Sequence, residues 1–271
     1  MVQSRRPSNL SVCIEKKPQT TPQGALLKYD LKEVLGRGSS GAVFRAVKRH
    51  EPGEVAVKLV DADEDERFRY EYELLRSVKH PGLATGLDFF QEGHSIAIVM
   101  SYHQGSRLTR AVSRCGPFTE NVSRDFFRTL LLAVEYLHSA SILHGDIKPD
   151  NIIISGQSDL TLVDFSSARR SSSKTPCTCT QEYAAPEVLN GELMSEKHDV
   201  WCSGLCLYFM LRGQLPWTQG IDTVQALPLK IKDVSADCCD ALGASLAIDK
   251  QLRPDAATLV KCAWLSKVAH D

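Results

Sequence analysis

The sequence predicts an α+β chain of two lobes, a small β-rich lobe followed by a larger, mainly helical one. Three observations predict it. Between residues 28 and 101, short β-like runs are split by turns. Beyond Gly105 and Ser106, apolar residues recur at helical spacing instead. The chain has 271 residues, 43% of them hydrophobic, which is enough for one large domain or two small lobes around a real core.

The elements follow in order. Residues 1–27 are polar and hold Pro7, Pro18 and Pro22 with few apolar anchors. That composition predicts a flexible arm with little structure of its own. Strands are expected at 28–36, 41–49, 54–60, 86–91 and 95–101. One helix, at 64–78, interrupts them, with Leu74, Leu75 and Val78 on a single apolar stripe. The clearest helix is 119–139. Thr119 can cap its start, and Phe127, Leu130, Leu131, Val134 and Leu137 share one face. Later helices are expected at 196–213, 235–247 and 255–265, leaving 267–271 as a tail. A cleft between two such lobes is a common place for a ligand.

Composition removes several classes of function. Lys and Arg total 32 against 33 Asp and Glu, a net charge of −1, so nothing advertises nucleic acid or an anionic membrane as partner. No apolar run reaches the roughly 18 residues a spanning helix needs, so no membrane insertion is expected. The start, Met1 to Arg6, leads into polar residues, so no secretory signal is expected either. The nine cysteines are odd in number and lack a C-x-x-C pair. Reduced thiols are the simplest reading, and zinc is not expected.

Residues 35–43 read Leu-Gly-Arg-Gly-Ser-Ser-Gly-Ala-Val, placing Gly36, Gly38 and Gly41 in a G-x-G-x-x-G pattern. Glycine lets backbone approach phosphate closely, but Gly-rich turns are common and the motif alone is weak. Context is more telling. A dinucleotide-binding turn should open a helix, whereas here Ala42, Val43, Phe44, Ala46 and Val47 lead into a second strand, Val55-Ala56-Val57-Lys58. Strand–turn–strand favours a flap over a nucleotide. Lys58 ends that strand, and a lone lysine there would ordinarily be solvated. Glu71 and Glu73 on the next helix are rival partners for it. Glu71 lies four residues before Leu75, so it shares a face with an apolar anchor and is the one chosen.

The sharpest segment is His144-Gly-Asp146-Ile-Lys148-Pro149-Asp-Asn151, followed by an apolar strand through Ile153. Asp146 is able to accept a hydroxyl proton, Asn151 to hold Mg²⁺, and Lys148 to neutralise a transferring phosphate. Eighteen residues after Asp146 comes Asp164, in Leu-Val-Asp-Phe-Ser166, a further Mg²⁺ ligand. Ala185-Pro186-Glu187 closes the segment that Asp164 opens. A buried Glu187 would need a partner, and Arg253 is the natural one.

Taken together and in this order, these motifs resemble a eukaryotic-type protein kinase of the serine/threonine type, over about residues 28–266. The resemblance implies the bilobal protein kinase fold, with an N-lobe at 28–101, a hinge at 102–105 and a C-lobe at 106–266. It implies ATP with Mg²⁺, and transfer of the γ-phosphoryl group to Ser or Thr of protein substrates. By position, Asp146, Lys148, Lys58 and Glu71 are catalytic. Leu35, Gly36, Arg37, Gly38, Ser39, Ser40, Gly41, Ala42 and Val43 cover the nucleotide. Ala56 and Ile153 hold the adenine with Val43. Met100 is the gatekeeper, and Ser101 and His103 offer hinge backbone groups. Asn151 and Asp164 bind metal. His-Gly-Asp, the Met gatekeeper, the short stretch from Lys58 to Glu71 and Pro216-Trp-Thr-Gln219 look like the NF-κB-inducing kinase type of MAP kinase kinase kinase. Regulatory protein partners are implied, as is a cytoplasmic location with nuclear access. Arg5-Arg6-Pro7-Ser8 is a candidate site for another, basophilic kinase. The alternative is a pseudokinase, a binding or scaffold module on the same fold.

Several positions depart from the family pattern. Gly145 replaces the Arg that would dock a phosphate on the activation segment. Activity is therefore expected not to depend on phosphate at Ser171, Ser172, Ser173, Thr175 or Thr178. Ser166 replaces a Gly, which is expected to restrict switching at that turn. Cys179 also stands where Gly is usual. Gly86 falls where an aliphatic spine residue packs, unless a one-residue shift puts Leu87 there. Arg107 stands where kinases selecting basic substrates often carry an acid, so no strong preference for Arg before the target is expected.

Overall fold

The computed structural model describes residues 21–38, 41–61, 65–156, 158–174, 179–217, 231 and 233–266. Ser39, Ser40, Thr175, Thr178, Thr218, Gln219, the Arg5–Ser8 stretch and the 267–271 tail lie outside them.

The first lobe runs α1 (Gln23–Lys28), β1 (Tyr29–Gly38), β2 (Gly41–Lys48), β3 (Glu54–Asp61), α2 (Asp65–Ser77), β4 (Gly86–Glu92) and β5 (Ser95–Ser101). Its strands form one antiparallel sheet in the order β1-β2-β3-β5-β4. The central strand β3 is apolar on both faces except for Lys58, as a doubly covered strand should be. Val55, Val57 and Leu59 face a small cluster with Tyr29, Ala46, Ala97 and Val99. Ala56 and Val60 face α2 and the main core. Side chains alternate along a strand, so Lys58 shares the α2 face with Ala56 and Val60.

The expectation for the arm is corrected at residues 23–27. They belong to α1, because Ala25 (1% exposed) and Tyr29 (4%) pack under the sheet. The Gln23 N–H donates to Glu92, and the Tyr29 hydroxyl donates to Asp88 at 2.5 Å. A helix this short forms only on such tertiary support.

The second lobe holds β6 (Ser106–Arg107), α3 (Leu108–Cys115), α4 (Glu120–Ser139), β7 (Ile142–Leu143), β8 (Ile152–Ser155), β9 (Asp159–Leu162), β10 (Arg169–Arg170), α5 (Pro186–Leu189), α6 (Glu196–Arg212), α7 (Ala236–Ser245), α8 (Ala256–Val260) and α9 (Ala263–Ser266). In α4 the Thr119 hydroxyl accepts the Val122 N–H, and the predicted apolar face is buried. Helix α6 is buried almost all round, which places it at the centre of the lobe. Gly213 ends it in the left-handed conformation.

Three expectations change here. The segment 255–265 is two short helices, not one. The turn between them lets the Trp264 ring pack tilted against Phe127 at 6.1 Å while its Nε1–H donates to Glu120 at 2.7 Å. Helix α3 was not foreseen. The Gly86 alternative resolves by register: Gly86 pairs with Met100, and Leu87 points outward at 43% exposure. A Cβ on Gly86 would lie 3.0 Å from the Arg76 nitrogen and 3.1 Å from the Leu75 Cβ, so α2 packs directly on bare backbone. Among the described residues, no helix is long and apolar enough to cross a membrane.

Candidate active site

A cleft of about 870 Å³ lies between the lobes. It is lined from above by the β1–β2 turn and β3, from behind by α2 and β5, and from below by the loops around β8 and β9. Gly36, Gly38, Gly41, Val43, Ala56, Lys58, Glu71, Met100, Ser101, His103, Asp146, Lys148, Asn151, Ile153 and Asp164 all line it. Leu35 and Arg37 do so too, while Ala42 is buried in the sheet behind. Gly41 shows why glycine is needed in the turn. Its φ is +132°, and a Cβ there would collide with the Leu59 carbonyl oxygen.

Lys58 and Glu71 meet as the shared face requires. Lys58 Nζ lies 2.8 and 2.9 Å from the two Glu71 carboxylate oxygens and 3.6 Å from Asp164 Oδ1. Glu73 is exposed. Burial strips hydration from the Lys58 ammonium, but Glu71 and Asp164 outweigh that loss and hold its pKa above the ordinary lysine value. Lys58 is therefore a fixed cation inside the cleft.

Below it, the loop from His144 to Asn151 builds a tight polar cluster. Lys148 Nζ donates to Asp146 Oδ2 and to Thr180 Oγ1, each at 2.6 Å. The Thr180 hydroxyl in turn donates to Asp146 Oδ1 at 2.7 Å. Asn151 Nδ2 donates to the Asp146 carbonyl at 2.8 Å. Burial would raise the Asp146 pKa, but the Lys148 and Thr180 hydrogen bonds lower it below the ordinary carboxylate value. Asp146 is thus an ionised carboxylate that faces the cleft.

The loop itself is held from beneath. Asp199, at the start of α6, accepts the backbone N–H of His144 and of Gly145, each at 2.9 Å, and lies 3.0 Å from His138 Nε2. Burial would raise the Asp199 pKa, yet the His138 hydrogen bond and neighbouring histidines hold it at about 2. The sequence marks Asp199–Gly204 as part of a protein-substrate platform, but not the Asp199 carboxylate as the support of this loop. The signal for that support was a carboxylate just before the long apolar run that fills the rest of α6. The His144 ring packs edge-on to Phe165 at 5.3 Å. Gly145 sits at φ +78°, and a Cβ there would lie 2.9 Å from the Ser167 carbonyl and 3.1 Å from Met194 Sδ. So Met194 packs against the backbone where a side chain would begin.

Asp164 and Asn151 fit a hard divalent cation. Asp164 Oδ1 accepts the Ser166 N–H and faces Lys58, and Asn151 donates through Nδ2. Among the described residues, no hydrogen bond reaches Asp164 Oδ2 or Asn151 Oδ1, and both residues line the cleft. Oxygen donors of this kind suit Mg²⁺. The backbone strain falls on Asp164, at φ +67°, while Ser166 needs no positive φ. Serine is accommodated at 166 without strain in this conformation.

At the hinge, the Ser101 N–H is taken by the Thr85 carbonyl, whereas the His103 backbone makes no hydrogen bond among the described residues. The His103 side chain was an unforeseen link. Its Nε2 lies 2.8 Å from Ser101 Oγ and its Nδ1 lies 3.1 Å from Thr161 Oγ1, tying the hinge to β9. Farther down, Arg253 meets Glu187 at 2.7 and 3.2 Å.

Comparison with known proteins agrees with this geometry. A protein kinase domain model matches residues 29–265. The chain is 29% identical over 259 residues to mouse "Ribosomal protein S6 kinase alpha-2", covering 88% of this chain and 35% of that one. It is 31% identical over 260 residues to a "Probable serine/threonine-protein kinase CHK1 homolog" of Encephalitozoon cuniculi, covering 88% of this chain and 61% of the relative. It is 30% identical over 233 residues to "CBL-interacting serine/threonine-protein kinase 16" of Arabidopsis thaliana, covering 78% and 49%. The chain thus spans about one third to three fifths of the length of these relatives. With the family model matched across both lobes, and with the cleft between them built as described, the chain belongs to the protein kinase domain family.

Proposed function

We propose that this chain is an ATP-dependent protein serine/threonine kinase, its catalytic unit spanning residues 28–266. One observation carries the reading. The Asp146 carboxylate is held ionised by Lys148 and Thr180, in the same cleft as the buried Lys58–Glu71 pair. The ion pair aims a permanent cation at nucleotide phosphates. Asp146 accepts the proton of a substrate Ser or Thr hydroxyl as that oxygen attacks the γ-phosphorus, and the bond from the γ-phosphorus to the β–γ bridging oxygen breaks to release ADP. Lys148, already on Asp146, adds positive charge beside the transferring group. Mg²⁺, held by Asn151 and Asp164, would neutralise charge on the phosphates. Chemistry of this kind rests on positioning and electrostatics, which a preorganised cluster supplies.

Adenine is expected between Val43, Ala56 and Ile153, with Met100 behind it and the His103 backbone at its edge. His-Gly-Asp at 144–146 and Met100 support a finer place among signalling kinases of the NF-κB-inducing kinase type. Unknown protein partners would govern such signalling.

The test is γ-phosphate transfer to a generic protein substrate by wild type and by Asp146→Asn. A loss of at least about a hundredfold is expected for removing the base. Equal signals would remove Asp146 from its role. Nucleotide binding without any transfer by wild type would establish the scaffold alternative.

A further inference from the structure

Helix α3 carries three arginines, Arg107 at its N-cap, Arg110 and Arg114. Their spacing of i, i+3 and i+7 puts them along one side of the helix. The opposite side, through Leu108 and Val112, is buried in the core. All three arginines are exposed. Among the described residues, none of them lies within ion-pair distance of a carboxylate.

The stripe begins at the reaction centre. Arg107 Nη1 donates to the Asp150 carbonyl at 2.8 Å, four residues after Asp146. Its Nη2 lies under the glycine turn, 2.6 Å from where a Cβ on Gly36 would fall. Arg107 and Arg110 line the same cleft as Asp146 and Lys148, and Arg114 continues the line outward. Of the five described acids lining that cleft, four face a lysine or arginine, Asp164 among them at 3.6 Å from Lys58, and Asp150 sets one carboxylate against the three arginines. Glu71 faces Lys58, Asp146 faces Lys148 and Glu33 faces Arg45. Asp150 takes the Thr109 hydroxyl at 3.1 Å. A basic peptide emerging from the site would meet an excess of arginines, whereas an acidic one would meet complementary charge. Guanidinium groups also match the planar fork of carboxylate and phosphate oxygens.

We propose that Arg107, Arg110 and Arg114 form a docking stripe that selects protein substrates bearing an acidic segment beside the target hydroxyl. The inference rests on the kinase reading and names the substrate class of that site. Carboxylate side chains and phosphoserine share the required chemistry, and the experiment separates them.

Matched serine peptides are compared, carrying Glu, phosphoserine, Ala or Arg at each flanking position in turn. Wild type is expected to prefer the acidic peptides over the Ala peptide by about tenfold in kcat/KM, since two or three partly screened pairs sum to about one decade. The Arg peptides are expected to be the poorest. A clear advantage of phosphoserine over Glu identifies previously phosphorylated substrates, and equal preference identifies acidic sequences. The double variant Arg110→Glu with Arg114→Glu is expected to invert the order, and the Gln pair to abolish it. Unchanged melting of both variants excludes a folding effect. Transfer without acidic preference overturns this inference and leaves the kinase reading standing. If no peptide is phosphorylated, the kinase reading fails, and fluorescence anisotropy of a labelled Glu-rich peptide decides the stripe alone. Salt-sensitive binding lost in the double Glu variant supports it. No binding, or equal binding of a single-stranded oligonucleotide, overturns it.

Discussion

Among the described residues, one lysine–carboxylate pair and one arginine–carboxylate pair are almost wholly buried, and they are built differently. Lys58–Glu71 in the first lobe touches little else that is polar, apart from Asp164 at 3.6 Å. Glu187–Arg253 in the second lobe is locked from all sides. Arg253 also donates to the Lys197 carbonyl at 2.7 Å and the Ala247 carbonyl at 2.8 Å, and it stacks over Trp201 at 5.0 Å. The same pairing of charges therefore serves two ends. Arginine, with a planar fork of donors, nails three chain segments together. Lysine, a point charge on a flexible stem, leaves room for a third partner in the cleft.

The comparison can be broken most sharply at Arg253. Replacing it with Ala leaves Glu187 buried and unpaired, which costs about 3–5 kcal/mol. Melting should fall by about 10 °C for a domain of this size. Lys58→Met should separate activity from stability instead. Phosphoryl transfer is expected to fall about 10²–10³-fold, as for loss of a preorganised charge, with a smaller drop in melting than Arg253→Ala gives. Equal melting losses in the two variants would erase the distinction.

Asp199 tests the second lobe by pH. Its folded pKa, about 2, lies below the ordinary 3.8. A depressed carboxylate stabilises fully above the ordinary value and loses that contribution as pH falls toward the folded one. Wild type should therefore lose about 2 kcal/mol across that acid window, and Asp199→Asn should lack this step in its melting profile. Gly145→Ala places a Cβ at φ +78° against the Ser167 carbonyl. A loss of about 1–2 kcal/mol is expected, read from denaturant midpoints. The smallest effect should come from Ser171, Ser172, Ser173, Thr175 and Thr178 changed together to Ala. Most transfer activity should remain, because glycine at 145 offers an activation-segment phosphate no cation. Loss of most activity would show a receptor elsewhere.

The site was more legible than its frame. Lys58, His144, Asp146, Asn151 and Asp164 lie in short linear runs whose spacing survives folding, and the cleft brings all five together except His144, which supports the loop from below. The choice of Glu71 over Glu73 needed only helical periodicity. What stayed hidden depended on contacts distant in sequence. Helix α1 owes its existence to Ala25 and Tyr29 under the sheet, and α3 offers just Leu108 and Val112 as a periodic signal. With α3 unread, Arg107 was noticed alone, and its alignment with Arg110 and Arg114 was not. His103 was read for its backbone, because nothing local shows that its ring meets Thr161, 58 residues on.

Asp164 carries a consequence for anyone selecting sturdier versions of this protein. It is one of the few described non-glycine residues with positive φ, together with Ser141 and Asp233. Such a backbone costs of order 1–3 kcal/mol. Asp164→Gly would relieve that cost and remove the carboxylate proposed above to hold Mg²⁺ in the same stroke. A screen scored on heat tolerance alone would thus enrich inert proteins at this position. Libraries aimed at robustness should hold residue 164 fixed, or score turnover and melting side by side.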